Sequence, residues 1–222
     1  MSTLKILLTY RQGFLAGLST TLELSLIIWS VGLSVGLATG YLVDRYPLRL
    51  RTPFNVLAFL LSGIPVIVFL VWAHYPLQVL LNVVIDPFFT ACWVLSLVNT
   101  MAVAEILSSA LREFPTAYIT AAKVCGISRR QTFWKIKLPI ILRQVLPGIV
   151  TSQVAILQAT LFASLISVEE IFRVSQRINA TAYKPVQIYT ALALLFLAIC
   201  LPLNGFALWF RNRFTKIVTE DY

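Results

Sequence analysis

Charged residues are so sparse along this chain that the gaps between them mark off candidate membrane crossings. Residues 24–43 give twenty positions without a charge, with Glu23 at the edge. Residues 52–85 give thirty-four, too many for one straight crossing, and His74, Tyr75 and Pro76 fall within that stretch. Residues 87–104 give eighteen, 144–168 give twenty-five and 185–210 give twenty-six. A bilayer core about 30 Å thick takes roughly 20 helical residues. The pattern therefore predicts an all-α integral membrane protein with five transmembrane helices, at about 14–42, 54–74, 87–111, 142–167 and 186–210. It leaves one long internal loop, 112–141. No internal repeat, low-complexity tract or second domain interrupts residues 1–222. The first long apolar run starts near Phe14 and continues too far for a cleaved signal.

Charge placement orients the spans. Arg45, Arg49 and Arg51 follow the first, and Arg112, Lys123, Arg129, Arg130, Lys135, Lys137 and Arg143 fall between the third and fourth. Arg211, Arg213 and Lys216 follow the fifth, which makes thirteen cations on one side. The other side holds five: Lys5, Arg11, Arg173, Arg177 and Lys184. Cytoplasmic loops carry the Lys and Arg excess. The N-terminus is expected outside and the C-terminus in the cytoplasm.

Composition excludes other classes. Of 222 residues, 59% are apolar and 12% charged, against roughly 45–50% and about 25% in soluble domains. The net charge of +9 would suggest nucleic acid in a soluble protein. Here the cations sit between apolar runs, so no nucleic-acid partner is expected; the bilayer is. Cys92, Cys125 and Cys200 are too far apart for a metal motif. No metal site, no phosphate loop of the G-x-x-x-x-G-K-[ST] type and no catalytic set is visible. The chain is not expected to be an enzyme.

The loop 112–141 carries the most specific signal. Residues 117–125 permit a helix, and Gly126 stands where a left-handed cap would go. Ser128 and Gln131 have capping-box spacing for a second short helix. Phe133, Ile136 and Leu138 offer it a packing face, and Pro139 is expected to end it. Permeases of bacterial ABC importers carry a cytoplasmic E-A-A loop, continued after three residues by G and after nine more by I-x-L-P. Ala121, Ala122, Gly126, Ile136, Leu138 and Pro139 match at that spacing, with Thr120 in place of the Glu. The chain thus resembles that family over most of its length. The polar amino-acid branch is the nearest likeness. Thr20-Thr21-Leu22, Ser62-Gly63-Ile64-Pro65, Ala104-Glu105-Ile106, Gln158-Ala159-Thr160, Ser164-Leu165-Ile166 and Val168 with Glu170-Ile171 resemble its segments.

The resemblance implies a permease subunit, in a bacterial inner membrane, that forms half of a translocation pathway for amino acids or related small polar solutes. Its implied partners are an ATPase dimer that holds ATP and Mg, a second permease and an extracytoplasmic binding protein. No cofactor is implied in this chain. Thr120, Ala121, Ala122, Gly126, Ile136, Leu138 and Pro139 would couple it to the ATPase. A membrane scaffold or receptor that transports nothing is the alternative.

Several positions depart from the branch. Ser62 and Ser108 stand where it usually has Arg, and Gln158-Ala159 where it has Lys-Asp. The lost charges fit either a heterodimer whose other permease keeps the substrate contacts, which is the favoured expectation, or an unusual solute. Glu105 remains, and an ionisable residue at depth is a functional candidate by default. It would face a cavity, meet a partner, be protonated, or snorkel from the helix end. The candidate pathway set is Ser62, Asn99, Glu105, Ser108, Gln158, Thr160 and Ser164. Interhelical hydrogen bonding is the competing reading for the small polar members. Gly32 and Gly36 have helix-packing spacing. Glu169, Glu170, Arg173 and Arg177, after the fourth span, are candidates for binding-protein contact, against plain solvation. His74 reads as an interfacial histidine beside Tyr75.

Overall fold

A computed structural model describes residues 3–219 and, of these, the side chains apart from Leu4 and 214–219. Among the described residues there are helices and no strands. They are α1 (Thr3–Thr9), α2 (Arg11–Arg45), α3 (Pro47–Gly63), α4 (Val66–His74), α5 (Pro76–Leu81) and α6 (Pro87–Arg112). Then come α7 (Thr116–Val124), α8 (Arg129–Thr132), a π-helical stretch (Phe133–Lys137) and α9 (Leu138–Ala159). A 3₁₀ stretch (Thr160–Ile166), α10 (Ile171–Ala182) and α11 (Pro185–Thr219) complete the chain. Four stretches are long and apolar enough to cross a membrane: Arg11–Arg45, Pro87–Arg112, Arg129–Ile166 and Pro185–Arg213. Pro47–Gly63 and Val66–Leu81 pass the same test only as a pair, and they meet at 93°.

The tightest seam joins α2 to α6. Gly32, Gly36 and Gly40 recur every fourth residue and line one stripe of α2. A Cβ at Gly32 would overlap the Asn99 side chain. At Gly36 it would come within 2.7 Å of Val103 Cβ, and at Gly40 within 2.7 Å of the Ala104 carbonyl oxygen. Without side chains in the way, the two backbones approach as small residues allow in membrane helices. Asn99 then reaches across: its Nδ2 donates to Gln153 Oε1 (2.9 Å) and to the Ile28 carbonyl (3.2 Å). Gln153 Nε2 donates back to Asn99 Oδ1 (3.0 Å), and Trp29 Nε1 donates to the Gln153 carbonyl (3.0 Å). The network ties α2, α6 and α9 with buried amides fully paired.

Two apolar clusters place the ends of the bundle. Leu107, Leu111, Phe114, Ile141 and Val145 gather the C-terminal end of α6 with α7 and the start of α9. Phe14, Ile171, Val174, Ile178, Ile188 and Leu192 gather the start of α2 with α10 and the start of α11. The loop 112–141 and the amphipathic helix α10 thus sit at opposite ends of the bundle.

Two expectations are corrected here. The second span is not one straight helix over 54–74. Pro65 has no N–H to continue a ladder, and Ile64 before it is held extended (φ −102°, ψ 120°), as a residue preceding proline tends to be. Pro139 does not end the second loop helix. α8 runs through the π stretch into α9, with the Leu138 N–H bonding the Phe133 carbonyl five residues back. The widened turn makes room for a ring that would strike a carbonyl in a regular helix.

Candidate functional site

The loop is a short hairpin built from local signals. α7 ends at Val124, and the Ile127 N–H bonds the Ala122 carbonyl (2.9 Å), which closes the turn. Gly126 sits at φ +72° with open space where a Cβ would project, so its requirement is purely conformational. Ser128 then caps α8: its Oγ accepts from the Gln131 N–H (3.3 Å), while Gln131 Oε1 accepts from the Ser128 N–H (3.3 Å) and hydroxyl (3.1 Å). The reciprocal bonds satisfy donors that a helix start otherwise leaves orphaned.

Burial sorts the loop residues. Ala122 is buried and turned inward, while Thr120, Ala121, Val124 and Gly126 are exposed. Val124 is 84% exposed on a helix whose other side is packed. Ile119 and Ile136 lie against the cluster around Phe114, so the hairpin is pinned to α6 and α9. Leu138 and Pro139 begin α9 and are half-buried. A Lys137–Asp44 contact (3.8 Å) and the edge of Tyr41 against Phe133 (6.2 Å between centroids) add the end of α2. The hairpin therefore exposes small Thr120 and Ala121 together with Lys123 and Val124, on a base packed against α6 and α9.

The pathway candidates divide. Asn99 is wholly buried with its amide paired to Gln153. Thr160 and Ser164 are buried and donate to the Leu157 and Leu161 carbonyls (2.7 Å each). Ser108 is buried, with its hydroxyl 3.2 Å from the Glu105 carbonyl. Those four hold backbone or neighbouring helices. Ser62, Glu105 and Gln158 reach the chain's surface. The Ser62 hydroxyl folds onto the Phe59 carbonyl (2.9 Å) at the break in the second span. Gln158 Nε2 lies 3.9 Å from Cys200 Sγ.

Glu170 is misplaced as a surface contact. Its side chain is fully buried and caps α10, accepting from the Phe172 and Arg173 N–H groups (2.8 Å each). Burial pushes its carboxyl from 4.5 up to about 7; the two N–H donors pull the other way, and Glu169 adds to the rise. The next amide, Ile171 N–H, donates to Thr21 Oγ1 on α2 (3.1 Å). A Cβ on Gly17 would stand 2.8 Å from Ile171 Cα. α10 is thus clasped to α2 by Thr21 and Gly17. Glu169 and Arg177 pair on the outside at 2.8 Å. The apolar spacing of Ile171, Val174 and Ile178 carried the signal that this segment is a docked helix, so a carboxylate just before it reads as its cap.

A polar cluster overlooked from the sequence closes the end of the second span. Gln78 Oε1 accepts from the Ile85 N–H (2.8 Å), and Gln78 Nε2 lies 3.1 Å from both His74 Nδ1 and Thr90 Oγ1. It fixes the 82–86 turn against α6, with Asp86 capping that helix by accepting from Phe88 N–H (2.8 Å). His74 also meets the Tyr75 ring edge-on, 4.7 Å between centroids. Among the described residues no group of three His, Cys, Asp or Glu side chains could hold a metal.

Residues 20–216 match the family described as "Binding-protein-dependent transport system inner membrane component". The chain belongs to that family. Among curated relatives, this family member is 28% identical to the octopine transport system permease protein OccM of Rhizobium radiobacter, over 94% of this chain and 92% of that one. It is 28% identical to the histidine/lysine/arginine/ornithine permease HisQ of Salmonella typhimurium (90% and 92% covered). It is also 28% identical to the glutamine permease GlnP of Escherichia coli (85% and 86% covered). Its fold matches a crystal structure of an amino acid ABC transporter with histidines at a TM-score of 0.82, 19% identity, with 96% of this chain and 99% of that chain covered. The MetNI methionine ABC transporter in an inward-facing form matches at 0.67 and 20% identity, covering 95% and 98%.

Proposed function

We propose that this chain is one permease of an ATP-driven importer for amino acids or related small polar solutes. The family match over 20–216 and the amino-acid and octopine permeases among its relatives support that reading; a scaffold that transports nothing has no such support. The observation that carries the coupling role is the outer face of α7, with Thr120, Ala121 and Val124 exposed beside the left-handed Gly126. A partner ATPase dimer, which holds ATP and Mg, would dock on that face, and its closure would move the hairpin. With the bent α3–α5 counted as one crossing there would be five, and the side of the hairpin, which carries thirteen cations over its three segments, would face the cytoplasm with α10 outside. An extracytoplasmic binding protein would then meet the α10 end, where Glu169, Arg173 and Arg177 remain candidates and Glu170 does not. Ser62, Glu105 and Gln158 are the pathway candidates that stay, and their neutral or unpaired character favours a second, different permease as the other half.

The test is reconstitution with the ATPase, partner permease and binding protein in vesicles. ATP-driven amino-acid uptake should appear. Ala121→Trp should abolish ATPase stimulation by loaded binding protein while leaving this chain inserted. Unaltered stimulation in that variant would remove α7 from coupling.

A further inference from the structure

The corner between α2 and α3 has no part in the transport reading, yet its chemistry is unusual for an exposed surface. Tyr46 links the two helices with φ −124° and ψ 60° and caps neither with its side chain. Around it stand Arg45, Arg49 and Arg51, interleaved with Leu48 and Leu50. Leu48 is 99% exposed and Tyr46 51%. The π stretch lies alongside, through Tyr41 against Phe133 and Lys137 against Asp44. It adds Trp134, 60% exposed, and Lys135. Among the described residues no carboxylate lies within salt-bridge reach of Arg45, Arg49, Arg51 or Lys135, and the one acid nearby, Asp44, faces Lys137. Arg45 rests over the Tyr46 ring at 5.9 Å, which holds its guanidinium beside the apolar surface rather than away from it.

Leucine, tyrosine and tryptophan this exposed need a cover, and four unpaired cations need anions. One surface supplies both in alternation, the headgroup boundary of a bilayer that contains acidic lipid. The corner also stands where α2, an apolar candidate span, ends. We propose that the α2–α3 corner and the adjoining π stretch form a binding surface for anionic phospholipid. Arg45, Arg49, Arg51 and Lys135 engage phosphate, while Tyr46, Leu48 and Trp134 enter the acyl boundary. The inference rests on the membrane permease reading, and on the orientation that puts this corner at the cytoplasmic leaflet.

The assembled transporter is placed in nanodiscs of mixed phosphatidylcholine and phosphatidylglycerol, then released, and its retained lipids are counted by native mass spectrometry. Wild type should retain phosphatidylglycerol in excess over its share of the mixture, and added salt should reduce the excess, as charge screening requires. Replacing Arg45, Arg49 and Arg51 together by Gln should lose the preference, by about fivefold per arginine. The corresponding Lys variant should keep most of it, and the single change Arg49→Gln, with about a fivefold loss expected, stands in if the triple Gln variant does not assemble. Removing as much charge at the other end, by Lys5→Gln, Arg11→Gln and Lys184→Gln together, should change nothing. A wild type with no preference, or equal loss in the opposite-end variant, overturns the proposal. So does retained preference in the Gln variant, and so does loss of the ATPase or partner permease from that variant without any change in lipid, which would make the corner a protein contact. Uptake that persists while the lipid preference is absent sinks only this inference; absent uptake with intact lipid preference sinks the transport reading instead.

Discussion

The seam around α2, α6 and α9 and the arm formed by α3 to α5 are both apolar, yet they are packed differently. In the seam, Gly32, Gly36 and Gly40 bring two backbones together, and Asn99, Gln153 and Trp29 pair their polar atoms inside it. In the arm, Val56, Phe59, Leu60, Val79 and Leu80 are each more than half exposed, and Phe54 is the single buried residue of α3. Lipid tails are as apolar as leucine, so hydrophobicity alone holds no helix to its neighbour in a membrane. What fixes the seam is close approach and polar pairing. What leaves α3 exposed is the lack of both; α4 and α5 are tied to α6 by buried Leu70 and Ala73 and by the Gln78–Thr90 pair. α3 and the outer face of α7 are then the parts of these elements left uncovered by the chain itself.

The contrast can be broken most severely at Gly32. Gly32→Val drives a branched side chain into Asn99, and overpacking of more than about 3 kcal/mol should leave no monodisperse protein on detergent size-exclusion. Gly63, with nothing within 4 Å of its Cβ position, should accept Ala with a change under about 0.5 kcal/mol. A stable Gly32→Val protein would mean that the seam is not closed as described.

The docked helix α10 should show the next largest effect, as a dependence on pH. Glu170 holds its proton more tightly when folded, at about 7, than at its ordinary 4.5. Its contribution is thus complete below pH 4.5, shrinks as pH rises through that window, and is gone above about 7. The loss amounts to roughly 3 kcal/mol at most. Glu170→Gln should flatten that part of a thermal-stability profile measured from pH 4 to pH 8. An unchanged profile would show that the carboxyl is solvated.

Within the seam, Asn99→Ala strands the Gln153 amide and should cost about 1–2 kcal/mol. Asn99→Leu combined with Gln153→Leu should cost less than the sum of the single changes, because no polar group is then left alone. Denaturation of the four proteins forms the double-mutant cycle. On the open side, Gly126→Val meets no atoms and pays only for its left-handed backbone, about 1–2 kcal/mol. It should lower ATPase coupling while leaving the melting temperature of the spans in place. Ser128→Ala should have the smallest effect, about 1 kcal/mol, confined to the hairpin and visible as faster amide exchange over 128–132.

Much of this was legible in the sequence where a local rule decides the outcome. The hairpin turned on Gly126 and on the Ser128–Gln131 spacing, and both behave as their chemistry demands. The long apolar helices Pro87–Arg112 and Pro185–Arg213 begin where uncharged runs begin, while Arg11–Arg45 and Arg129–Ile166 start well before theirs. The break at Ile64-Pro65 was hidden, because an apolar run reads the same whether straight or bent and proline alone does not say how sharply a chain turns. Pro139 misled in the other direction, since a π turn has no signature in residue type. Glu170 was hidden for a different reason. A charge between spans looks solvated until the helix it caps is docked, and that docking depends on Gly17 and Thr21, about 150 residues earlier.

The π stretch has a consequence for phase. From Arg129 to Ile166 the chain is one helical rod of 38 residues, roughly 57 Å long at 1.5 Å per residue. A π turn is in effect one residue spliced into a regular helix. Deleting a residue within Phe133–Lys137 would restore the ordinary winding and rotate everything before it by about 100° around the rod. Every span would still cross and every cap would still close. The face of α7 that now looks outward would look elsewhere, like a key cut correctly and turned a quarter in the lock.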